Sequence, residues 1–312
     1  MRYLHLLLLL SCTSLSAQQE PVFSQFFYNK LLSNPGAAGS NGLPCLTAFH
    51  RQQWAGLEGA PVTQALSFNT PVLAERVGLG LTLMNDHIGF FNSTYAQAAY
   101  AYRIAIAGGH LGIGMHASLL RHEVDMGQVR TISGTVTGAG EQMMASNFQM
   151  NVGMGAHFEN ERFFVGVAVP QVLDRAQVNG QVRHYFANAG AVLELSPTLR
   201  MRTAAAVRVV KNAPPSFDVH LGFGFTEDAR LWLGSTLRLS QTHGPNDASG
   251  LGGDALVAVG QYQISERLRV GLAYDMALGP VRRGNAGSFE LMLEYCFIKA
   301  AVPEQVLRPR YF

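Results

Sequence analysis

From residue 46 onward, apolar and polar residues alternate with a period of two. Over 217–225, Phe217, Val219, Leu221, Phe223 and Phe225 share one parity, and Asp218, His220, Gly222 and Gly224 the other. Over 268–276, Leu268, Val270, Leu272, Tyr274 and Met276 oppose Arg269, Gly271, Ala273 and Asp275. Over 289–297, Phe289, Leu291, Leu293, Tyr295 and Phe297 oppose Glu290, Met292, Glu294 and Cys296. A strand with one apolar and one polar face suits a wall between lipid and a wet interior. The alternation predicts about fourteen strands: 46–54, 64–70, 77–86, 94–107, 110–124, 148–158, 163–169, 184–194, 199–210, 217–225, 231–240, 255–263, 268–276 and 288–297.

The connections carry a second pattern. Short links (Pro71 to Arg76, Gly108-Gly109, Glu159 to Arg162, Ser196-Pro197, Thr226 to Arg230, Ser265 to Arg267) alternate with mostly longer ones (Gly56 to Thr63, His87 to Ser93, Asp125 to Asn147, Pro170 to Arg183, Lys211 to Ser216, Thr242 to Asp254, Ala277 to Gly287). Short periplasmic turns and long outer loops mark bacterial barrels. The fold expected is therefore an all-β transmembrane antiparallel barrel of about fourteen strands.

The N-terminal part differs. Arg2, Leu4 and Leu6 to Leu10 followed by Ser14-Leu15-Ser16-Ala17 read as a secretory signal cleaved after Ala17. The rival is a lipoprotein site, because Leu9-Leu10-Ser11 precedes Cys12. Residues 18–42 hold Phe23, Phe26, Phe27, Tyr28 and Asn34-Pro35-Gly36 without a sustained period. These aromatics suit a soluble core fragment, a plug or a docking peptide. The expected division is a signal peptide at 1–17, a periplasmic leader or plug at 18–45, a transmembrane barrel at 46–297 and a periplasmic tail at 298–312. Past residue 17 no apolar run is long enough for a transmembrane helix.

Composition sharpens this. Charged residues are 14% of the 312, against roughly 25% in soluble domains. A net charge of +2 with no basic run gives nucleic-acid binding no support. Cys12, Cys45 and Cys296 make no framework; with Cys12 lost, at most one disulfide remains, and none is expected.

Candidate chemistry is sparse. No phosphate loop, zinc spacing or nucleophile elbow is present, no cofactor is expected, and the chain does not read as an enzyme. His110, His116 and His122 share a parity, but residues six apart on a strand lie about 20 Å apart, so one ion cannot join them. They read as lumen histidines in water. Asn246, Asp247 and Asp254 lack calcium-loop spacing and read as a solvated loop. Arg200, Arg202 and Arg208 form a lumen stripe, paired with acids such as Glu290 and Glu294 or lining an anion path. Gly78/Gly80, Gly112/Gly114, Gly153/Gly155 and Gly222/Gly224 share parity with the polar face. They suit either a smooth wall for a packed plug or relief of crowding and easier curvature. The second reading is the plainer one and is the expectation.

Several stretches resemble the PorP/SprF family of type IX secretion outer-membrane proteins of Bacteroidetes. They are Glu20-Pro21-Val22-Phe23-Ser24-Gln25-Phe26 with Asn34-Pro35-Gly36-Ala37-Ala38-Gly39-Ser40; Arg51-Gln52-Gln53-Trp54 with Gly59-Ala60-Pro61-Val62-Thr63-Gln64 and Ser67-Phe68-Asn69-Thr70-Pro71; and Gly78-Leu79-Gly80 with Asn85-Asp86-His87-Ile88-Gly89. The ending Pro309-Arg310-Tyr311-Phe312 is also similar. Glu20 departs from the family's usual Asp, and Gly36 from its Ala. The resemblance implies an outer-membrane accessory that binds and helps export or surface-attach secreted, adhesin-like proteins with type B C-terminal sorting domains. It equally allows a link to the periplasmic secretion and gliding apparatus. The alternative is a channel for small polar or anionic solutes. Expected partners are such secreted proteins, type IX components and the lipid bilayer, with no nucleic acid. The expected partner-binding set is Phe23, Ser24, Gln25, Asn34, Pro35, Arg51, Gln53, Trp54, Pro61, Thr131, Thr135, Gln142, Met143 and Met144, with the 125–147 link as main recognition surface.

Overall fold

The computed structural model describes residues 21–124, 130–131, 134–135, 147–173, 182–210, 213–226, 228–243, 249–278 and 286–297. The signal segment, most of the 125–147 link and the tail lie outside these residues.

Fourteen strands close into one antiparallel barrel. They are β1 (Cys45–Gln52), β2 (Val62–Val72), β3 (Val77–Ile88), β4 (Phe91–Ile106), β5 (Gly109–Val124), β6 (Asn147–Glu159), β7 (Phe163–Gln171), β8 (His184–Ser196), β9 (Leu199–Val210), β10 (Ser216–Phe225), β11 (Leu231–His243), β12 (Ser249–Gln263), β13 (Leu268–Ala277) and β14 (Ser288–Cys296). Each strand pairs with the next, and β14 pairs with β1. Every strand expected from the alternation is present. Two hairpins reach further than expected: the His87 to Ser93 link shrinks to a turn at Gly89-Phe90, and β11 and β12 extend into the Thr242 to Asp254 link. Polar strands such as Asn92-Ser93-Thr94 carry no apolar face to reveal them, yet Asn85, Asn92 and Thr94 bond across the hairpin. A small hairpin pair, Arg130–Thr131 with Gly134–Thr135, lies in the link between β5 and β6.

The alternation maps onto the wall. In β14, Phe289, Leu291, Leu293 and Tyr295 are exposed on the outside, while Glu290, Met292, Glu294 and Cys296 are buried inside. In β3, Leu79, Leu81 and Leu83 face out, and Gly78, Gly80 and Thr82 face in. An outer surface this apolar needs lipid against it, and closure leaves no unpaired strand edge in that lipid. No described helix is long and apolar enough to cross a membrane; the crossing is made by strands.

The core of the molecule is inside the lumen. The leader, with its two short 3-10 turns Lys30–Leu32 and Pro35–Ala37, lies within the barrel. Phe23, Phe26, Phe27 and Tyr28 cluster with Phe49, Phe164, Phe186, Val257 and Met292 of the wall. Leu31 and Ala38 cluster with Ala99 and Ala101. Four aromatic rings in one short segment are costly to leave in water, and the wall supplies their apolar surroundings.

A correction concerns the cysteines. Cys45 and Cys296 form a disulfide between the first residue of β1 and the last of β14. Barrel closure makes them register partners, which their wide separation in sequence hides.

Candidate functional site

The site built from the leader and the inner wall begins at Ser24. Its backbone N–H donates to Glu290 Oε2 at 2.7 Å, and the N–H of Gln25 donates to Oε1 at 3.1 Å. The Ser24 hydroxyl donates to Asp275 at 2.9 Å. It accepts from Arg51 Nη1 at 2.8 Å and Arg238 Nη2 at 3.2 Å. Arg51 also pairs with Asp275 and with Glu290, the latter at 2.9 Å. Arg238 bridges Asp275 and Asp218, and Arg208 completes the set on Asp218 at 2.7 Å. Three guanidiniums thus balance three carboxylates around one serine. Buried charges persist only when paired and hydrogen-bonded in this way. Strand parity puts all six on the inner face.

Further along, Asn34-Pro35-Gly36 lies flat on the wall. Asn34 Oδ1 accepts from Gly36 N at 2.9 Å, capping the second 3-10 turn, and its Nδ2 donates to the Ala156 carbonyl at 3.0 Å. A Cβ on Gly112 would overlap the Gly36 carbonyl, one on Gly114 the Pro35 carbonyl, one on Gly78 the Ala38 carbonyl and one on Gly155 the Asn34 side chain. A Cβ on Gly36 itself would sit 2.9 Å from the carbonyls of Gly112 and Gly155. Gly39, at φ 76°, turns the chain against Gly78 and donates its N–H to Asn69 Oδ1. So the glycines of β3, β5 and β6 form the smooth wall for a packed segment, which corrects the curvature reading. Relief of crowding holds elsewhere: Gly224 lies under the Trp232 ring, Gly222 beside His220 and Gly153 beside His116. Lys30 anchors the middle of the leader, with Nζ 2.8 Å from Glu159 Oε2 and 4.9 Å from the Phe164 ring centre.

The arginine stripe is occupied. Arg202 lies 4.6 Å from the ring centres of both Phe27 and Tyr28 and 4.4 Å from that of Trp232, so cation–π contact stabilises the leader there. Arg208 takes Asp218 and Arg200 faces Glu194 at 3.6 Å, rather than Glu290 or Glu294; Glu294 faces Arg269 at 3.7 Å. The histidines do not stand in open water either. His116 is buried between the Gln97 side chain and the Pro170 carbonyl, and His122 contacts the Ser93 hydroxyl at 2.8 Å. His110 lies 3.7 Å from Glu75. Asp254 accepts from Ser240 at 2.8 Å; Asn246 and Asp247 lie outside the described residues. Among the described residues no group of three His, Cys, Asp or Glu could hold a metal ion.

Of the expected partner-binding residues, Phe23, Ser24, Gln25, Asn34, Pro35 and Arg51 are buried in contacts within the chain. Gln53, Trp54 and Pro61 lie at the rim. Gln53 N bonds the buried Pro61 at 2.9 Å, and the exposed Trp54, at φ 47°, bonds Ser288. The backbones of Thr131 and Thr135 lie in the small hairpin; their side chains, and all of Gln142, Met143 and Met144, lie outside the described residues. Sequence reasoning missed Lys30, Asp218, Arg238 and Asp275 as holders of the leader. Their inward parity was visible; what they face was not.

The barrel is similar to solved outer-membrane proteins at low identity. The TodX deltaS2S3 mutant monoaromatic hydrocarbon channel has TM-score 0.51 and 10% identity, over 85% of this chain and 93% of that one. The CymD monoaromatic hydrocarbon channel has TM-score 0.50 and 13% identity, over 87% and 93%. Omp33 of Acinetobacter baumannii has TM-score 0.45 and 11% identity, over 82% and 98%. At such identities the likeness concerns the fold, that of a bacterial outer-membrane barrel. No curated protein matches the chain. Residues 15–295 match the family described as type IX secretion system membrane protein PorP/SprF. With the leader, the glycine wall and all but the last residue of the closed barrel inside that span, the chain belongs to the PorP/SprF family of type IX secretion outer-membrane proteins.

Proposed function

We propose that this outer-membrane component of type IX secretion is a non-enzymatic accessory that binds secreted proteins carrying type IX C-terminal sorting domains and helps export or attach them at the surface. The observation that carries this reading is the filled lumen. The leader occupies the barrel by apolar packing, a balanced ion cluster and backbone contact with wall glycines. A barrel filled by its own chain is a rigid scaffold, and its links are free to bind. Recognition then rests on the rim, on Trp54 and on the 125–147 link. A tie to periplasmic parts of the apparatus would use the opposite rim.

Affinity purification from native outer membranes with mass spectrometry tests the reading. Recovery of a sorting-domain protein supports it, and recovery of periplasmic type IX components alone supports the second tie. The alternative is a channel for small polar or anionic solutes; the TodX and CymD neighbours are channels too, although for monoaromatic hydrocarbons. Planar bilayer recordings separate the two: a stable open conductance from the wild-type protein would favour the channel.

A further inference from the structure

The lipid-facing wall is not equally tall on all sides. A strand tilted by about 40° climbs about 2.5 Å per residue, so a hydrocarbon band of about 25 Å takes about ten residues of each strand. β6 supplies them, with outward residues that are apolar from Phe158 up to Phe148. β9 does so from Leu199 to Val209, with Thr203 its one outward hydroxyl. β1 does not. Only Leu46 and Ala48 precede His50 and Gln52, which face outward and are exposed. His50 lies about 13 Å above Cys45 at the inner end of the strand. At the same height β6 presents Met154 to lipid.

His50 belongs to a row. Its register partner on β2 is Gln64, followed by Asn85 on β3, Thr94 on β4 and Arg121 on β5. Each shares the parity of the lipid-facing residues of its strand. Gln64 donates to His50 Nδ1 at 3.4 Å, and Asn85 donates to Thr94 at 3.2 Å. The row runs square to tilted strands, so its height changes along it. It stands about 30 Å above the inner end of the strand at Arg121 and about 13 Å at His50. The lowest point is at the seam, beside Leu291 of β14.

A wall too short for its bilayer is accommodated by snorkelling, by association or by a thinner bilayer. Snorkelling takes the long stem of a lysine or arginine, which His50, Gln52 and Gln64 lack. Association gives two convex barrels one line of contact, whereas the row crosses five of the fourteen strands. Lipid reaches all of it.

We propose that this face thins the outer membrane: the headgroups of the outer leaflet descend from β5 to β1 to meet the polar row, and lie lowest at the seam. The exposed Trp54 and Leu57, in the link that follows β1, then stand clear of the headgroups. The inference rests on the barrel's place in the membrane and is independent of the protein partner proposed above.

Nitroxide depth measurement on the full protein in phospholipid nanodiscs tests it, with oxygen and a water-soluble nickel chelate as paired relaxers. Leu66→Cys puts the label just beneath Gln64. Ala205→Cys puts it at the same height above the inner end of β9, on the opposite side of the barrel. Cys45 and Cys296 are bonded to each other and take no label. The Ala205 label should read about 10 Å deep and the Leu66 label about 5 Å. Adding His50→Leu and Gln64→Leu should roughly double the depth at Leu66 and leave Ala205 unmoved. Should the added replacements prevent assembly, the two single labels still decide. Equal depths at Leu66 and Ala205 would overturn the proposal. So would a Leu66 label shielded from both relaxers, which would mean a protein neighbour, or one that the leucines do not move.

Discussion

Arg51 of the first strand and Glu290 of the last are register partners across the seam of the barrel, and both hold Ser24 of the leader. The same two side chains thus join the ends of the sheet and fix its contents. Removing one partner of a buried pair leaves a charge in a poor solvent and costs about 3–5 kcal/mol. Arg51→Met should lower the unfolding midpoint of the detergent-solubilised barrel accordingly. It should also make the 21–44 segment cleavable by added protease while the strands stay protected; the wild-type segment should resist. The double variant Arg51→Met with Glu290→Met should lose less than the sum of the two single variants, since each single variant already breaks the shared pair. A double variant worse than the sum of the two singles would refute the pairing.

The glycine wall gives an orthogonal way to eject the leader. Gly114→Val puts side-chain carbons where the Pro35 carbonyl lies, and backbone on both sides leaves nothing flexible to move. The outward face of β5 is untouched, so the barrel should still assemble. Proteolysis of the leader and appearance of a conductance in bilayers are the expected outcomes. Gly253→Ala faces only the flexible Leu278 side chain and should leave the leader protected. Equal protection in both variants would mean that the wall contacts do not hold the leader.

Lipid exposure of the last strand predicts a third result. Leu293 is outward and 42% exposed. An arginine near mid-membrane on a barrel costs about 2–4 kcal/mol. Leu293→Arg should reduce the folded protein in the outer membrane, read as heat-modifiable mobility in gels of membrane fractions. Met292→Leu, on the inner face, should not. Wild-type levels of Leu293→Arg would contradict the lipid-facing assignment.

The proposed partner role predicts a fourth. β5 and β6 remain paired up to His122 and Asn147, so replacing residues 129–146 with a short Gly-Ser link removes no barrel strand. Assembly should be unchanged, while surface attachment of a secreted partner, measured by whole-cell immunodetection, should fall. Normal assembly with normal attachment would exclude this link as the recognition surface.

The wall of this protein was legible in its sequence because strand period and face coincide: Phe289, Leu291, Leu293 and Tyr295 need no context to be read as one surface. The lumen was less legible. Parity puts Arg202, Asp218 and Asp275 inside, but which of them meet depends on closure of the sheet and on what fills it. Arg202 therefore reads as paired with a lumen acid or lining an anion path, and is a stack on Phe27, Tyr28 and Trp232. The glycine pairs were visible as a motif. Their partner is the Asn34-Pro35-Gly36 stretch; a plug on the glycine wall is one of the two expected readings, but the stretch's lack of period could not say which of its residues meets which glycine. The cysteines were decodable in principle: with an even number of strands, the start of the first and the end of the last share a rim.

That bond between Cys45 and Cys296 makes the barrel a covalent ring. The leader is the tail of the same chain, attached at the ring and threaded back into its hole, as in a lasso. The seam between the first and last strands is then tied shut at the rim that carries the bond. At that rim the two strands cannot part sideways while the bond is intact.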